Sequence, residues 1–445
     1  MIIYQVLPRL WGNGRLSAFD SKTFAYLKDL GVTHVWYTGL LRHATGKDFV
    51  KGSAGSPYAV SDYYDVNPYL ADNPEARMEE FDALVARTHR AGLKFLMDFV
   101  PNHVARDYDR SALPLCDWWD YDWTDTLKID YAAPGAWEKM LGIVRFWASR
   151  GVDGFRCDMV ELVPADFLAW LIRTVKAEFP AVVFIAEVYH KESYRQYVHE
   201  VGFDYLYDKS GLYDVLRAIV EKNVRDPRGE TGEWQSTRSI TWNWQFLGDI
   251  QSHMLNFLEN HDEQRFPCPE FGASVANEFA PLAVSALFNT APFLIYFGQE
   301  IGVDAAESPN GRTTIFDFAD IEPLGRLYGY IHGTASLRPE ENAFLARFWE
   351  VMSLAASPLK TRGLVYDLCY CNQQTPGFDP DRHFAFLRCE SGRCVLFFCN
   401  FSDRDATLRV QVPQHAFDVL GIKQAAPEDG LPVSVCAKDF AHREI

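Results

Sequence analysis

The sequence contains no C-x-x-C pair, no H-E-x-x-H and no glycine-rich phosphate loop. These gaps leave out the simplest zinc, redox and nucleotide signatures. It also has no run of five or more basic residues, and its 43 Lys and Arg against 60 Asp and Glu leave a net charge of −17. A duplex or an anionic bilayer repels such a chain, which predicts no nucleic-acid partner. No apolar run approaches the roughly 20 residues of a membrane helix, so no membrane association is expected. The opening Met1-Ile2-Ile3-Tyr4-Gln5-Val6 has neither the basic start nor the longer apolar core of a secretory signal. The nine cysteines are odd in number and read as scattered reduced thiols. A cytoplasmic protein is the expectation. Nothing in the pattern addresses oligomeric state.

What the sequence does have is a globular composition, 48% hydrophobic and 23% charged over 445 residues. Aromatic residues make up 15%, with 12 Trp and 21 Tyr. Such rings pack cores, and they also stack on flat, uncharged ligands. An acidic chain rich in Trp and Tyr suits a neutral substrate.

No linker or repeat divides the chain. Short apolar strands alternate instead with amphipathic helices. The predicted strands are Ile2–Val6, Thr33–Thr38, Lys94–Phe99, Gly154–Asp158, Val182–Ala186, Asp204–Tyr207, Met254–Leu258 and Phe293–Phe297. In the predicted helix Ala165–Phe179, the residues Phe167, Leu168, Leu171, Ile172 and Val175 share one face behind Pro164. Eight strands in this beat predict an α/β protein built on a (β/α)8 TIM barrel, although an open doubly wound sheet shares the alternation. The beat stops near residue 357. Beyond it come the predicted strands Leu364–Cys371, His383–Cys389, Cys394–Asn400 and Thr407–Val412, parted by turns such as Glu390-Ser391-Gly392. The expected organisation is a catalytic barrel over 1–357, with a short insertion after strand 3 at about 104–133. A C-terminal antiparallel β-sandwich domain follows over 358–445.

In a parallel barrel, function gathers at the C-terminal ends of the strands. The third strand ends Asp98-Phe99-Val100-Pro101-Asn102-His103, and the fourth reads Gly154-Phe155-Arg156-Cys157-Asp158. The fifth ends in Glu187, and the seventh runs into Asn260-His261-Asp262. One Asp after a strand is commonly a helix cap. Four polar strand ends together point to a site. Carboxyls brought together raise one another's pKa, so one stays protonated while another ionises. Arg156, two residues before Asp158 on an extended strand, points to the same side and helps hold it as the carboxylate. Such a set suits glycoside cleavage.

These strings closely resemble the α-amylase family, family 13 of the glycoside hydrolases. D-F-V-P-N-H at 98–103, G-F-R-C-D at 154–158, A-E-V at 186–188 and N-H-D at 260–262 occur in family order. Supporting segments are I-Y-Q-V at 3–6, Y-A-V-S-D-Y at 58–63 and P-F-L-I-Y-F-G-Q-E-I-G at 292–302. The resemblance implies Asp158 as the nucleophile, Glu187 as the acid and then base, and Asp262 as the holder of the 2- and 3-hydroxyls. It implies Tyr58 stacking on the sugar, with His103 and His261 bonding its hydroxyls and Arg156 orienting Asp158. Asp98 is implied as a rim partner, and Arg312 matches a family arginine. The expected enzyme is a retaining glycosidase on α-linked gluco-oligosaccharides, such as malto-oligosaccharides or starch fragments. An α-glucanotransferase on the same substrates and a non-catalytic relative are the alternatives. A metal-dependent hydrolase built on Asp98, His103, His261 and Asp262 lacks a tight His-x-His pair.

No cofactor is expected. Asn102 matches a family calcium position, yet the insertion's Asp107, Asp109, Asp117, Asp120, Asp122 and Asp125 lack EF-hand spacing and read as a solvated acidic loop. Trp118, Trp119, Tyr121 and Trp123 crowd the same insertion, as its core or as a stacking platform. After Asp158 stands Met159-Val160-Glu161, where many α-amylases carry a Lys-His pair on the leaving side. That departure favours short malto-oligosaccharides or transfer chemistry over endo-acting starch hydrolysis.

Overall fold

The computed structural model describes residues 1–445. Eight parallel strands close into a barrel: β1 (Ile2–Val6), β2 (His34–Tyr37), β3 (Lys94–Phe99), β4 (Gly154–Cys157), β5 (Val183–Ala186), β6 (Tyr205–Tyr207), β7 (Met254–Phe257) and β8 (Phe293–Tyr296). Each strand pairs with its sequence neighbours, and β1 closes the ring on β8 with Ile3 opposite Leu294. An open sheet is excluded by that closure. The strands are near-continuous apolar runs because helices cover the outside while side chains fill the interior. Gly154 opens β4 at a point where a Cβ would lie 2.7 Å from the Val183 carbonyl oxygen and 2.7 Å from Leu96, so the strand passes only without a side chain.

The surrounding helices follow the 3.6-residue pattern. Ser21–Asp29 starts on Asp20, whose carboxylate accepts from the Lys22 and Thr23 amides. Ala165–Glu178 buries Phe167, Leu168, Leu171, Ile172 and Val175, the face expected from the sequence. Burial of such side chains is worth about 1.5–3 kcal/mol each. Between β3 and the helix Ala136–Ser149, the chain forms a hairpin in which His103–Ala105 pairs antiparallel with Thr126–Lys128.

After the long helix Pro339–Ala356 come a four-stranded antiparallel sheet and a two-stranded one. The first contains β9 (Leu364–Asp367), β10 (His383–Glu390), β11 (Arg393–Asn400) and β14 (Phe440–Glu444). The second pairs β12 (Ala406–Val410) with β13 (Leu431–Val435). The two-residue period of β10 and β11 splits their side chains between two cores. Ala385, Leu387, Leu396 and Phe398 pack toward β12 and β13. Phe384, Phe386 and Phe397 join the barrel core, and Phe288 meets Phe384 edge-on at 4.9 Å. Arg388, fully buried on that face, donates to the carbonyls of Leu287, Phe288, Leu359, Lys360 and Gly363. Its charge caps the C-terminal end of the helix Phe279–Leu287.

Three details depart from the sequence reading. The strand expected over Leu364–Cys371 ends at Asp367, whose carboxylate accepts the Cys369 amide and starts a helical turn over Cys369–Asn372. The strands β13 and β14 carry too much polarity in Pro432, Ser434, His442 and Arg443 to stand out. The reading of all cysteines as reduced thiols is also corrected. Cys389 and Cys394 are directly opposite across the β10–β11 hairpin, with Cα atoms 4.1 Å apart, and are joined as a disulfide. The other seven are free.

Candidate active site

At the C-terminal mouth of the barrel the strand ends meet on one guanidinium. Arg156, in β4, is 1% exposed and enclosed by the rings of Trp36, Tyr58 and Tyr207 at 5.4–5.6 Å. Its Nη1 donates to Asp158 Oδ1 at 2.5 Å. Its Nη2 lies 2.9 Å from Glu187 Oε2 and 3.8 Å from Asp262 Oδ2, in both cases without hydrogen-bond alignment. Asp98 Oδ1 stands 4.0 Å from Nη1. Four carboxyls thus surround one cation. A buried site with that imbalance lowers its charge by holding protons.

Burial pushes the Glu187 carboxyl up to about 7, with Arg156 opposing and Asp158 adding to the rise. Burial likewise raises Asp98 to about 7 against the pull of Arg156. Asp158 is raised by burial and by Asp262, and it is restrained by both the charge and the hydrogen bond of Arg156. Asp262 rises through burial and then the Glu187 charge. Glu187 is fixed by two donors, Tyr189 Oη on Oε1 and the Met159 amide on Oε2, each at 2.9 Å. Met159 adopts φ +45°, a left-handed conformation unusual for a side-chain-bearing residue, and this turns its N–H onto the acid. Glu161, at the position of the missing Lys-His pair, accepts from the Tyr189 amide at 2.8 Å and the His190 amide at 3.1 Å, and so holds the loop that carries Tyr189.

The cavity beside these groups is about 330 Å³. Of the residues named from the sequence, Tyr58, His103, Asp158, Glu187, Asp262 and Arg312 line it. Asp98, Arg156 and His261 do not line it, although His261 was expected to bond the sugar's hydroxyls. Asp98 accepts from Tyr58 Oη and the Gly39 amide, both at 3.3 Å. Both ring nitrogens of His261 are engaged within the protein, Nδ1 with Gln5 at 2.8 Å and Nε2 with Tyr58 Oη. Its pKa lies well below the ordinary value, from burial and the Arg156 charge, so the ring is neutral. Burial also lowers His103 to about 4, and a neutral ring there can donate or accept. Trp123, one of the rings read as a stacking platform or as the insertion's core, lines the wall, and so do Lys51, Asp125, Tyr189 and Glu263, which were not singled out as site residues. Only Tyr189 carried a signal, two residues after Glu187 on an extended segment and so on its side.

Calcium does not fit the position suggested by Asn102. Lys128 Nζ donates there to Asn102 Oδ1 at 3.0 Å and to Asp120 Oδ2 at 2.9 Å, over the face of Trp118. Asn102 Nδ2 in turn reaches Asp120 Oδ2 at 2.9 Å and the His103 ring at 3.2 Å. No three His, Cys, Asp or Glu side chains converge as a metal-binding group. The ammonium ties the 118–128 arm to the loop after β3, so part of the acidic insertion is a paired network rather than a solvated loop. Lys128→Met is expected to lower unfolding free energy by about 2 kcal/mol, the scale of hydrogen bonds to a charged group. Urea titration measures this. A strong chelator is expected to leave wild-type activity and melting temperature unchanged.

A family model described as "Alpha amylase, catalytic domain" matches residues 13–125 and 118–322. The chain is 25% identical over 362 residues to Neopullulanase 2 of Thermoactinomyces vulgaris, covering 70% of this chain and 58% of that protein. It is 24% identical over 427 residues to a cyclomaltodextrinase of Thermoanaerobacter pseudethanolicus, covering 90% and 66% respectively. The chain therefore spans less than two thirds of the length of either relative. An α-amylase structure from Lactobacillus plantarum superposes with a TM-score of 0.71 over 100% of this chain and 98% of that one, at 21% identity, a likeness of fold.

Proposed function

Because the chain belongs to the α-amylase family, we propose that it is a retaining glycosidase of α-linked gluco-oligosaccharides. The observation that carries this reading is the pair Asp158 and Glu187 facing the two Nη atoms of one guanidinium. Retention needs carboxyls roughly 5–5.5 Å apart, against about 6.5–9.5 Å for inversion, and a shared guanidinium supports the short spacing.

In the proposed double displacement, Asp158, held ionised by Arg156, attacks the anomeric carbon. Glu187, protonated below about pH 7, gives its proton to the departing oxygen. A β-glycosyl-enzyme forms as the α-bond breaks. Glu187, now the carboxylate, then takes a proton from water, which attacks the same carbon and frees Asp158 with net retention. Asp262 holds the 2- and 3-hydroxyls, Tyr58 stacks on the ring, and His103 and Arg312 bond its periphery. His261, Asp98 and Arg156 act through Tyr58 and the carboxylates.

Proton NMR of maltotriose hydrolysis tests the reading. First release of the α-anomer is expected, and first release of the β-anomer overturns retention. Accumulation of sugars longer than maltotriose would make transfer the principal reaction.

A further inference from the structure

Two segments meet around the Glu187 carboxyl: 159–161 after β4, which replaces the Lys-His pair of many α-amylases, and 187–190 after β5. From the short turn Val160–Leu162, the Glu161 side chain reaches back to the second segment. Its Oε2 accepts the Tyr189 amide at 2.8 Å. Its Oε1 accepts the His190 amide at 3.1 Å and lies 2.8 Å from His190 Nδ1. The Glu161 side chain is 14% exposed, so water competes little for these bonds. In the other direction, the Met159 amide donates to Glu187 Oε2 and Tyr189 Oη donates to Oε1, each at 2.9 Å. The bonds close a ring: Glu161 holds the backbone of Tyr189, Tyr189 holds Glu187, and Glu187 holds the amide two residues before Glu161.

The other charged or titratable groups facing Glu187 are Arg156 in β4, Asp158 after it, Tyr207 in β6 and Asp262 after β7. Arg156, the one cation among them, faces Oε2 rather than Oε1. The side-chain donor on Oε1 is Tyr189. Burial and the Glu187 charge hold the Tyr189 phenol far above its ordinary pKa, so it keeps its proton and donates rather than relays. A hydrogen bond to an ionised acceptor is stronger than one to a neutral acceptor. Tyr189 therefore favours the carboxylate over the acid, against the burial that raises Glu187.

We infer that Tyr189 is a positioning residue for Glu187: its hydroxyl supports the ionised form that must activate water in the second displacement, and Glu161 fixes that hydroxyl in place. The inference rests on the glycosidase reading above and names how that site turns its acid into a base. No proton passes through Tyr189. In the first step the Glu187 proton goes to the departing oxygen, and the phenol bonds the carboxylate that remains. In the second step the carboxylate takes a proton from water, and that bond weakens as Glu187 becomes the acid again.

The test is the pH profile of kcat/KM for maltotriose in wild type, Tyr189→Phe, Glu161→Ala and the double variant. The wild-type alkaline midpoint is expected near 7. Without the phenol, the acid form of Glu187 persists to higher pH. Tyr189→Phe is therefore expected to raise the midpoint by about one unit, the scale of one hydrogen bond to a charged group. In the Glu161→Ala background the same change should move it by less than about 0.3 unit, because the hydroxyl is already released. A midpoint that stays or falls in Tyr189→Phe overturns its role and leaves the glycosidase reading standing. That is also the result of a purely structural role, which lowers melting temperature or the height of the profile without moving its midpoint. Equal shifts in both backgrounds overturn the part assigned to Glu161. No turnover of maltotriose or of an aryl α-glucoside by the folded wild type overturns the reading on which the inference rests.

Discussion

Asp158→Asn is expected to lower kcat/KM on maltotriose by roughly 10⁴–10⁶-fold, the scale of nucleophile loss in other covalent mechanisms. The fold should survive, because Asn keeps the shape and an acceptor for Arg156 Nη1. Glu187→Gln is expected to cost about 10²–10⁴-fold, the usual range for a proton-transfer partner. The two variants should differ in kind. An aryl α-glucoside whose leaving group needs no proton should recover much of the first step in Glu187→Gln and none in Asp158→Asn. Equal losses on that substrate would contradict the assigned roles.

The pH profile follows from the same residue. Glu187 is raised to about 7 by burial, so its acid form is present below that pH and lost above it. Wild-type kcat/KM is expected to fall on the alkaline side with an apparent midpoint near 7. This midpoint belongs to the interacting carboxyls together rather than to one of them.

Arg156→Met has the second large expected effect. It removes the one cation around which Asp98, Asp158, Glu187 and Asp262 gather. Breaking a buried ion pair by deleting one partner costs about 3–5 kcal/mol. Here the carboxyls can relieve the loss by taking up protons, so the cost depends on pH. Without Arg156 their folded-state pKa values rise further above the unfolded ones. The folded state then binds protons that the unfolded chain has released, and stability declines as pH increases across that interval. The deficit of Arg156→Met against wild type, read by urea unfolding, is expected to be larger at pH 8 than at pH 5. A deficit independent of pH would show that the guanidinium acts through packing against Trp36, Tyr58 and Tyr207, not through charge. Activity should be lost at both pH values, because Asp158 is no longer held ionised.

Much of this site is legible in the sequence. The strings around Asp98, Arg156, Glu187 and Asp262 all close barrel strands, and a strand end fixes both place and direction. Residues on the long connections were harder to read. Lys51 and Asp125 are 74 positions apart and belong to segments without periodicity, so nothing local pairs them. Lys128 looked like any surface lysine, and its meeting with Asn102 and Asp120 depends on the hairpin register of His103 opposite Lys128. Cys389 and Cys394 are five residues apart in the chain, but only the cross-strand register puts their side chains together.

The sequence carries no C-x-x-C or H-E-x-x-H zinc signature and no run of five or more basic residues, and no helix is long and apolar enough to cross a membrane. The sequence by itself determined the barrel beat, the four polar strand ends and the family they mark, because these are written in short, contiguous, periodic segments. Only the tertiary structure decided what those carboxyls do to one another. Their protonation comes from burial, opposed by the one guanidinium they share, and each of them arrives at the end of a different strand. The joining of loops at the barrel mouth is also tertiary, since the Ala54 amide meets the Phe316 carbonyl and the Ser53 amide meets Asp317 across more than 260 positions of sequence.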